Sequence, residues 1–137
     1  MLFYLLYHVL DIIVKSFWMG GLITCNRSML SVKIEQYIEK HLTEKIHIDD
    51  ICKEFYLSKN ALYALFRDEF HTTVGDFITE RRLRLAQNYL QSKSEINISQ
   101  IASLCGFPDY NYFIRLFKKK IGMTPLQYRK HSYPRQA

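Results

Sequence analysis

Residues 48–77 and 98–128 carry one pattern of side chains twice. At a displacement of 50 residues, Ile48, Ile51, Cys52 and Leu57 correspond to Ile98, Ile101, Ala102 and Phe107. One residue is then inserted. At a displacement of 51, Leu62, Leu65, Phe66, Arg67, Phe70, Thr73 and Phe77 correspond to Phe113, Leu116, Phe117, Lys118, Ile121, Thr124 and Tyr128. Residue character is kept at each pair, so whatever the first copy folds into, the second must fold into also. Within each copy the apolar positions recur at intervals of three and four, the period of a helix. Each copy therefore reads as a short helix, a tight turn and a longer helix, the form of a helix-turn-helix.

The flanking sequence is helical as well. Ile34, Tyr37, Ile38 and His41-Leu42 mark a helix ahead of the first copy. Ser58 is a good N-cap for the second helix of that copy. Thr73-Val74-Gly75-Asp76 has the capping-box form, and opens a long helix carrying Phe77, Ile78, Arg81, Arg82, Leu85, Ala86, Tyr89 and Leu90. Asn97 to Gln100 is another helix start, and Thr124-Pro125 opens a last helix with proline at its first position. The expected architecture is all-α: two helix-turn-helix units, at about 48–70 and 98–121, joined by a long helix over about 74–92. This is a homeodomain-like three-helical arrangement, duplicated, within a domain of residues 31–137.

Residues 1–18 are more apolar. His8, Asp11 and Lys15 share one helical face there, and Leu2, Leu5, Leu6, Val9, Ile12, Ile13 and Phe17 fill the rest. No positive region precedes the apolar run, which argues against a signal peptide. The charges interrupt it too soon for a spanning helix. Residues 1–30 are expected to form an apolar helix and a connection broken by Gly20-Gly21. Such a helix wants a packing partner, which makes a homodimer through residues 1–18 a candidate. Membrane-surface association is the alternative.

Charge is unevenly placed. Of 19 lysines and arginines, all those from Arg81 onward face only Glu95 and Asp109 as acidic company, and the chain's net charge is +6. A polyanion suits such a field, nucleic acid first and an anionic membrane second. Cys25, Cys52 and Cys105 lie far apart, without a C-x-x-C pair. Neither a zinc site nor a disulfide framework is suggested, and a reducing compartment fits. No Ser/His/Asp set, paired carboxylates, metal-ligand spacing or glycine-rich phosphate loop stands out, so nothing points to an enzyme or a cofactor.

Three motifs then carry a resemblance: Arg82-Leu83-x-x-Ala86-x-x-Tyr89-Leu90; Ile98-x-x-Ile101-Ala102-x-x-x-Gly106-Phe107-x-Asp109-x-x-Tyr112-Phe113-x-Arg115-x-Phe117-Lys118; and Gly122-x-Thr124-Pro125-x-x-Tyr128-Arg129. With these, residues from about Val32 to Lys130 resemble the DNA-binding region of the AraC/XylS family of bacterial transcription regulators. The resemblance implies two helix-turn-helix units, bridged by one long helix, entering successive major grooves on one face of double-stranded DNA. It also implies contact with RNA polymerase, and a cytoplasmic, nucleoid-associated protein. The first unit departs from the family pattern at Cys52, where a small alanine is usual. Tyr56 stands where the turn often has glycine, and Ala64 where a long polar reader is common. The family usually carries a separate sensing domain, and about 30 residues precede the module in this sequence. No small-molecule ligand is therefore expected in this chain. The rival to a DNA-binding regulator is a shortened interaction module that pairs with a full-length relative.

Helical spacing assigns the faces. Phe113, Leu116, Phe117 and Ile121 form a core face. Tyr110, Asn111, Ile114, Arg115 and Lys118 form the opposite one. Arg115 matches guanine O6 and N7 with its planar fork, Asn111 suits adenine, and Tyr110 and Ile114 suit thymine methyls. The alternatives for Arg115 are a phosphate or a nearby carboxylate. In the first unit Asn60, Tyr63 and Ala64 are the base-reading candidates. Ala64 cannot donate a hydrogen bond, so this unit is expected to specify less. Phosphate contacts are expected from Ser58, Lys59, Arg67, Arg81, Arg84, Lys118, Lys119 and Arg129. Lys118, Lys119 and Lys120 stand equally as solvated cations. Arg82 falls on the apolar side of the long helix, where a structural ion pair is expected.

Overall fold

The protein is described from a computed structural model covering residues 27–92 and 95–132. The apolar segment expected over residues 1–18 lies outside the described residues. Among the described residues seven helices follow one another: α1 (Met29–Lys40), α2 (Ile48–Glu54), α3 (Lys59–Leu65), α4 (Val74–Gln91), α5 (Ile98–Leu104), α6 (Tyr110–Ile121) and α7 (Pro125–Ser132). A π-helical turn, Phe66–Phe70, continues α3.

Local chemistry starts these helices. Ser58, Thr73 and Asp109 each accept a hydrogen bond from the backbone N–H three residues on, opening α3, α4 and α6. Asn97 and Gln100 form a reciprocal capping box at α5. Thr124 and Gln127 exchange the same pair of bonds at α7. Each cap satisfies an N–H that the helix leaves orphaned. α1 starts at Met29, ahead of the expected boundary at residue 31, because Ser28 caps it. Ser28 is itself held from across the fold: its N–H and hydroxyl both donate to the Glu69 carboxylate at the end of the π-helical turn.

Two separate cores form. Ile34, Ile38, Ile51, Leu62, Phe66, Val74 and Phe77 are buried in the first. Leu83, Ala86, Leu90, Ile101, Cys105, Phe113 and Phe117 are buried in the second. α4 has 18 residues, about 27 Å of helix, and supplies both. Its first half closes the first unit, as α7 closes the second: Val74 matches Pro125, and Phe77 matches Tyr128. Its second half is the first helix of the second unit. The Tyr128 hydroxyl accepts from Gln91 at 2.8 Å, tying α7 to α4.

The repeat is visible in the turns. Leu57 N–H bonds to Cys52 C=O at 2.9 Å, and Phe107 N–H to Ala102 C=O at 3.0 Å. Each bond closes over a residue in the left-handed region: Gly106 at φ 82° in the second unit, and Tyr56 at φ 54° in the first. Glycine adopts that region freely, whereas a side chain there is strained. Tyr56 is also 96% exposed, so no packing offsets the strain. Tyr56→Gly is therefore expected to stabilise the protein by about 0.5–1 kcal/mol after allowing for glycine's freer unfolded chain. Thermal melting of the two proteins checks this, and an unchanged or lowered midpoint contradicts it.

Candidate nucleic-acid interface

The first unit presents α3 beside the start of α4. Asn60, Tyr63, Ala64 and Arg67 form one wall of an open cleft of about 1210 Å³. They are the three base-reading candidates of this unit together with Arg67, expected at a phosphate. The opposite wall was not anticipated: His71, Thr72, Thr73 and Gly75, where the chain enters α4. His71 reaches that place because it ends the π-helical turn in the left-handed region at φ 55°. A second cleft shares Thr72 and Asp76 with the first and runs on past Arg84 and Gln87 to Lys120 of α6. The two clefts thus form one face along α4, and that face joins the ends of α3 and α6. Thr72 and Gln87 carry no sequence signal beyond their polarity, whereas Lys120 is one of the three lysines weighed between phosphate and solvent.

In the second unit, Phe113 and Phe117 point fully inward. Tyr110, Asn111, Arg115, Lys118 and Lys119 are exposed along the outer side of α6. Ile114 is only partly so, because it also packs against the second core. Tyr112, noted in the motif but not as a reader, is 45% exposed near the same helix start.

The cations of the two units differ in their engagements. Lys59 pairs with Asp49 at 2.8 Å, and Arg67 with Asp68 at 2.9 Å. The Lys59 hydrogen bond, then its charge, holds Asp49 below the usual carboxylate range, and Asp49 raises Lys59 in return. The Arg67 hydrogen bond lowers Asp68 in the same way. All four side chains are solvent-exposed, so these pairs are weak and exchangeable. Arg84 pairs with Glu80 one turn away at 2.8 Å. Among the described residues, Arg115, Lys118 and Lys119 form no ion pair, so no carboxylate competes for them. Ser58 is exposed and occupied as the cap of α3.

Three half-buried arginines are engaged within the fold. Arg81 lies over the Phe77 ring and bridges to Glu35 and Glu39 of α1. Arg129 donates to the Ile96 carbonyl at 2.6 Å. Both were expected at phosphates; in this structure both hold helices to neighbouring segments. Arg82 was expected in an ion pair, and that expectation is corrected. Its Nε donates to the Leu42 carbonyl at 2.9 Å and its Nη2 to the Glu44 carbonyl at 2.7 Å. Partial burial lowers its pKa, since no carboxylate replaces the water it loses.

Two three-helix units on a shared helix, each with an outward second helix, define a tandem helix-turn-helix DNA-binding module. Comparison with known proteins gives its family. A family model described as a helix-turn-helix domain matches residues 51–131, and the chain belongs to the AraC/XylS family of transcription regulators. It is 33% identical over 97 residues to the probable transcriptional regulator LumQ of Photobacterium leiognathi, covering 71% of this chain and 39% of that protein. It is 35% identical over 91 residues to the HTH-type transcriptional activator RhaR of Enterobacter sp. (strain 638), covering 66% of this chain and 32% of that one. The chain thus spans about a third of the length of such relatives. Among solved structures, the C-terminal domain of the response regulator yesN from Fusobacterium nucleatum matches with a TM-score of 0.69 at 31% identity. That match covers 74% of this chain and 99% of that one. The DNA-binding domain of AdpA, crystallised with a target DNA, shares the fold, with a TM-score of 0.70 at 21% identity over 77% of this chain and 94% of that one.

Proposed function

We propose that this chain regulates transcription by reading two successive major grooves of double-stranded DNA, one with α3 and one with α6. The observation that carries the reading is the pair of matching turns, which set α3 and α6 on their cores in the same way. Within this reading Arg115 and Asn111 contact base edges, with Tyr110 and Ile114 on thymine methyls. Lys118, Lys119 and Arg84 contact phosphates. In the first unit Asn60, Tyr63 and Ala64 line the groove, and Lys59 and Arg67 exchange their carboxylates for phosphates. Phosphate contacts position the protein and base contacts specify the site. Family membership adds RNA polymerase as a partner in the cytoplasm.

Salt dependence tests the reading. With six to eight phosphate contacts, log K is expected to fall linearly with log salt, at a slope of about −5 to −7. Fluorescence anisotropy on a labelled duplex between low and physiological salt measures it. A slope near zero overturns the nucleic-acid reading.

A further inference from the structure

The two units share α4 but pack little against each other otherwise. Among the described residues, every helix pair in broad contact either lies within one unit or includes α4. α4 sets the coarse rotation of the units, and what touches both of them beside that helix sets the rest. Arg82 stands where three segments meet: the loop after α1, α4 itself, and the turn between α5 and α6. Its guanidinium holds the Leu42 and Glu44 carbonyls of the first unit. The turn of the second unit rests directly on it. A Cβ placed on Gly106 would lie 3.0 Å from Arg82 Nε, 3.2 Å from its Cζ and 2.7 Å from the Leu42 oxygen. An open cleft of about 770 Å³ flanks this junction, with Thr43 to Ile46 on one side and Gly106 to Pro108 on the other.

The repeat explains why Gly106 matters. At the equivalent position of the first unit, Tyr56 adopts the same left-handed conformation with its side chain in solvent. The turn therefore tolerates a side chain. What excludes one at residue 106 is the approach of the other unit.

We infer that Arg82, clamped between the Leu42 and Glu44 carbonyls and Gly106, fixes the rotation and separation of the two reading helices and so sets the half-site spacing the protein accepts. The spacing consequence rests on the DNA-binding reading above. Arg82 is a positioning residue: it acts through the placement of α3 and α6. A lysine cannot replace it, because a single ammonium on a flexible stem does not reproduce the planar fork that spans two carbonyls.

Two measurements on the full chain test the inference. Spin labels introduced by unnatural amino acids at Lys53 and Ser103, exposed on α2 and α5, report the distance between the units without DNA. The wild-type chain is expected to give one narrow distribution, and Arg82→Lys a distinctly broader one. On duplexes selected by the wild-type chain from a random library, inserting or deleting one base pair between half-sites is expected to cost wild type about tenfold in affinity. For Arg82→Lys the cost should fall below about threefold, with affinity for an isolated half-site unchanged. A purely stabilising role would leave both the distance distribution and the spacing profile as in wild type, and that result overturns the inference. If circular dichroism shows Arg82→Lys unfolded, Gly106→Ala decides instead. It keeps the guanidinium but pushes the turn off Leu42, so the mean distance should shift, and an unshifted mean overturns the inference. If wild type selects no DNA, the DNA-binding reading falls and the spacing consequence with it. The label distances still decide whether Arg82 sets the geometry.

Discussion

Phe117→Ala is expected to open the second unit while leaving the first intact. Phe117 is fully buried, edge-on to Phe113 and to Tyr128. Truncating such a side chain costs about 3–5 kcal/mol, the transfer term plus the cavity left behind. That is comparable with the whole stability of a small domain. The loss should be local, because the buried residues of the two cores are disjoint and Leu85 is the side chain packed against both. Amide hydrogen exchange resolves this. Protection should collapse in α5, α6 and the second half of α4, and persist in α1 to α3. Equal loss of protection in both units would show one cooperative core in place of two.

Arg115→Ala is expected to weaken binding to a selected site by about 1–3 kcal/mol and to relax base preference at one position. Asn60→Ala should cost less than about 1 kcal/mol and leave base preferences in the second half-site unchanged. The asymmetry has a physical basis. Arg115 meets no competing carboxylate among the described residues, whereas the first unit's reading face has Ala64 at its middle and cations already paired to Asp49 and Asp68. Selection of a randomised operator by each variant, followed by sequencing, gives the preference at every position. Equal loss of preference in both half-sites would remove the asymmetry.

The parts legible in the sequence are those whose causes are local. Ser58, Thr73, Asn97 and Thr124 each announce a helix because a cap and the N–H it satisfies lie three residues apart. The outward face of α6 was legible because a helix sorts its residues by spacing alone. The arginines show where this ends. Arg81, Arg82 and Arg129 find their partners 46, 40 and 33 residues away. No local pattern distinguishes an arginine bound to a distant carbonyl from one that waits for phosphate. Ile114 was half legible: its spacing places it outward, but its flank also meets the second core. The π-helical turn after α3 escaped notice because Phe66 and Phe70 keep ordinary helical spacing. The wider turn shows itself in the fold as a bond from the His71 N–H back to the Phe66 carbonyl.

Because α4 runs unbroken from one core into the other, its length sets the phase between the units. Adding one residue between Ile78 and Leu83 would swing everything beyond it by about 100° around the helix axis and carry it about 1.5 Å along. One inserted codon there would aim α6 away from any groove that α3 had found. Inserting three or four residues comes close to a full turn and nearly restores the aim, at the cost of moving the units apart by about 5 Å. Loops elsewhere in the chain can drift in length by single residues, as the step from a displacement of 50 to 51 between the two copies shows. At the middle of α4, length can change only in whole turns.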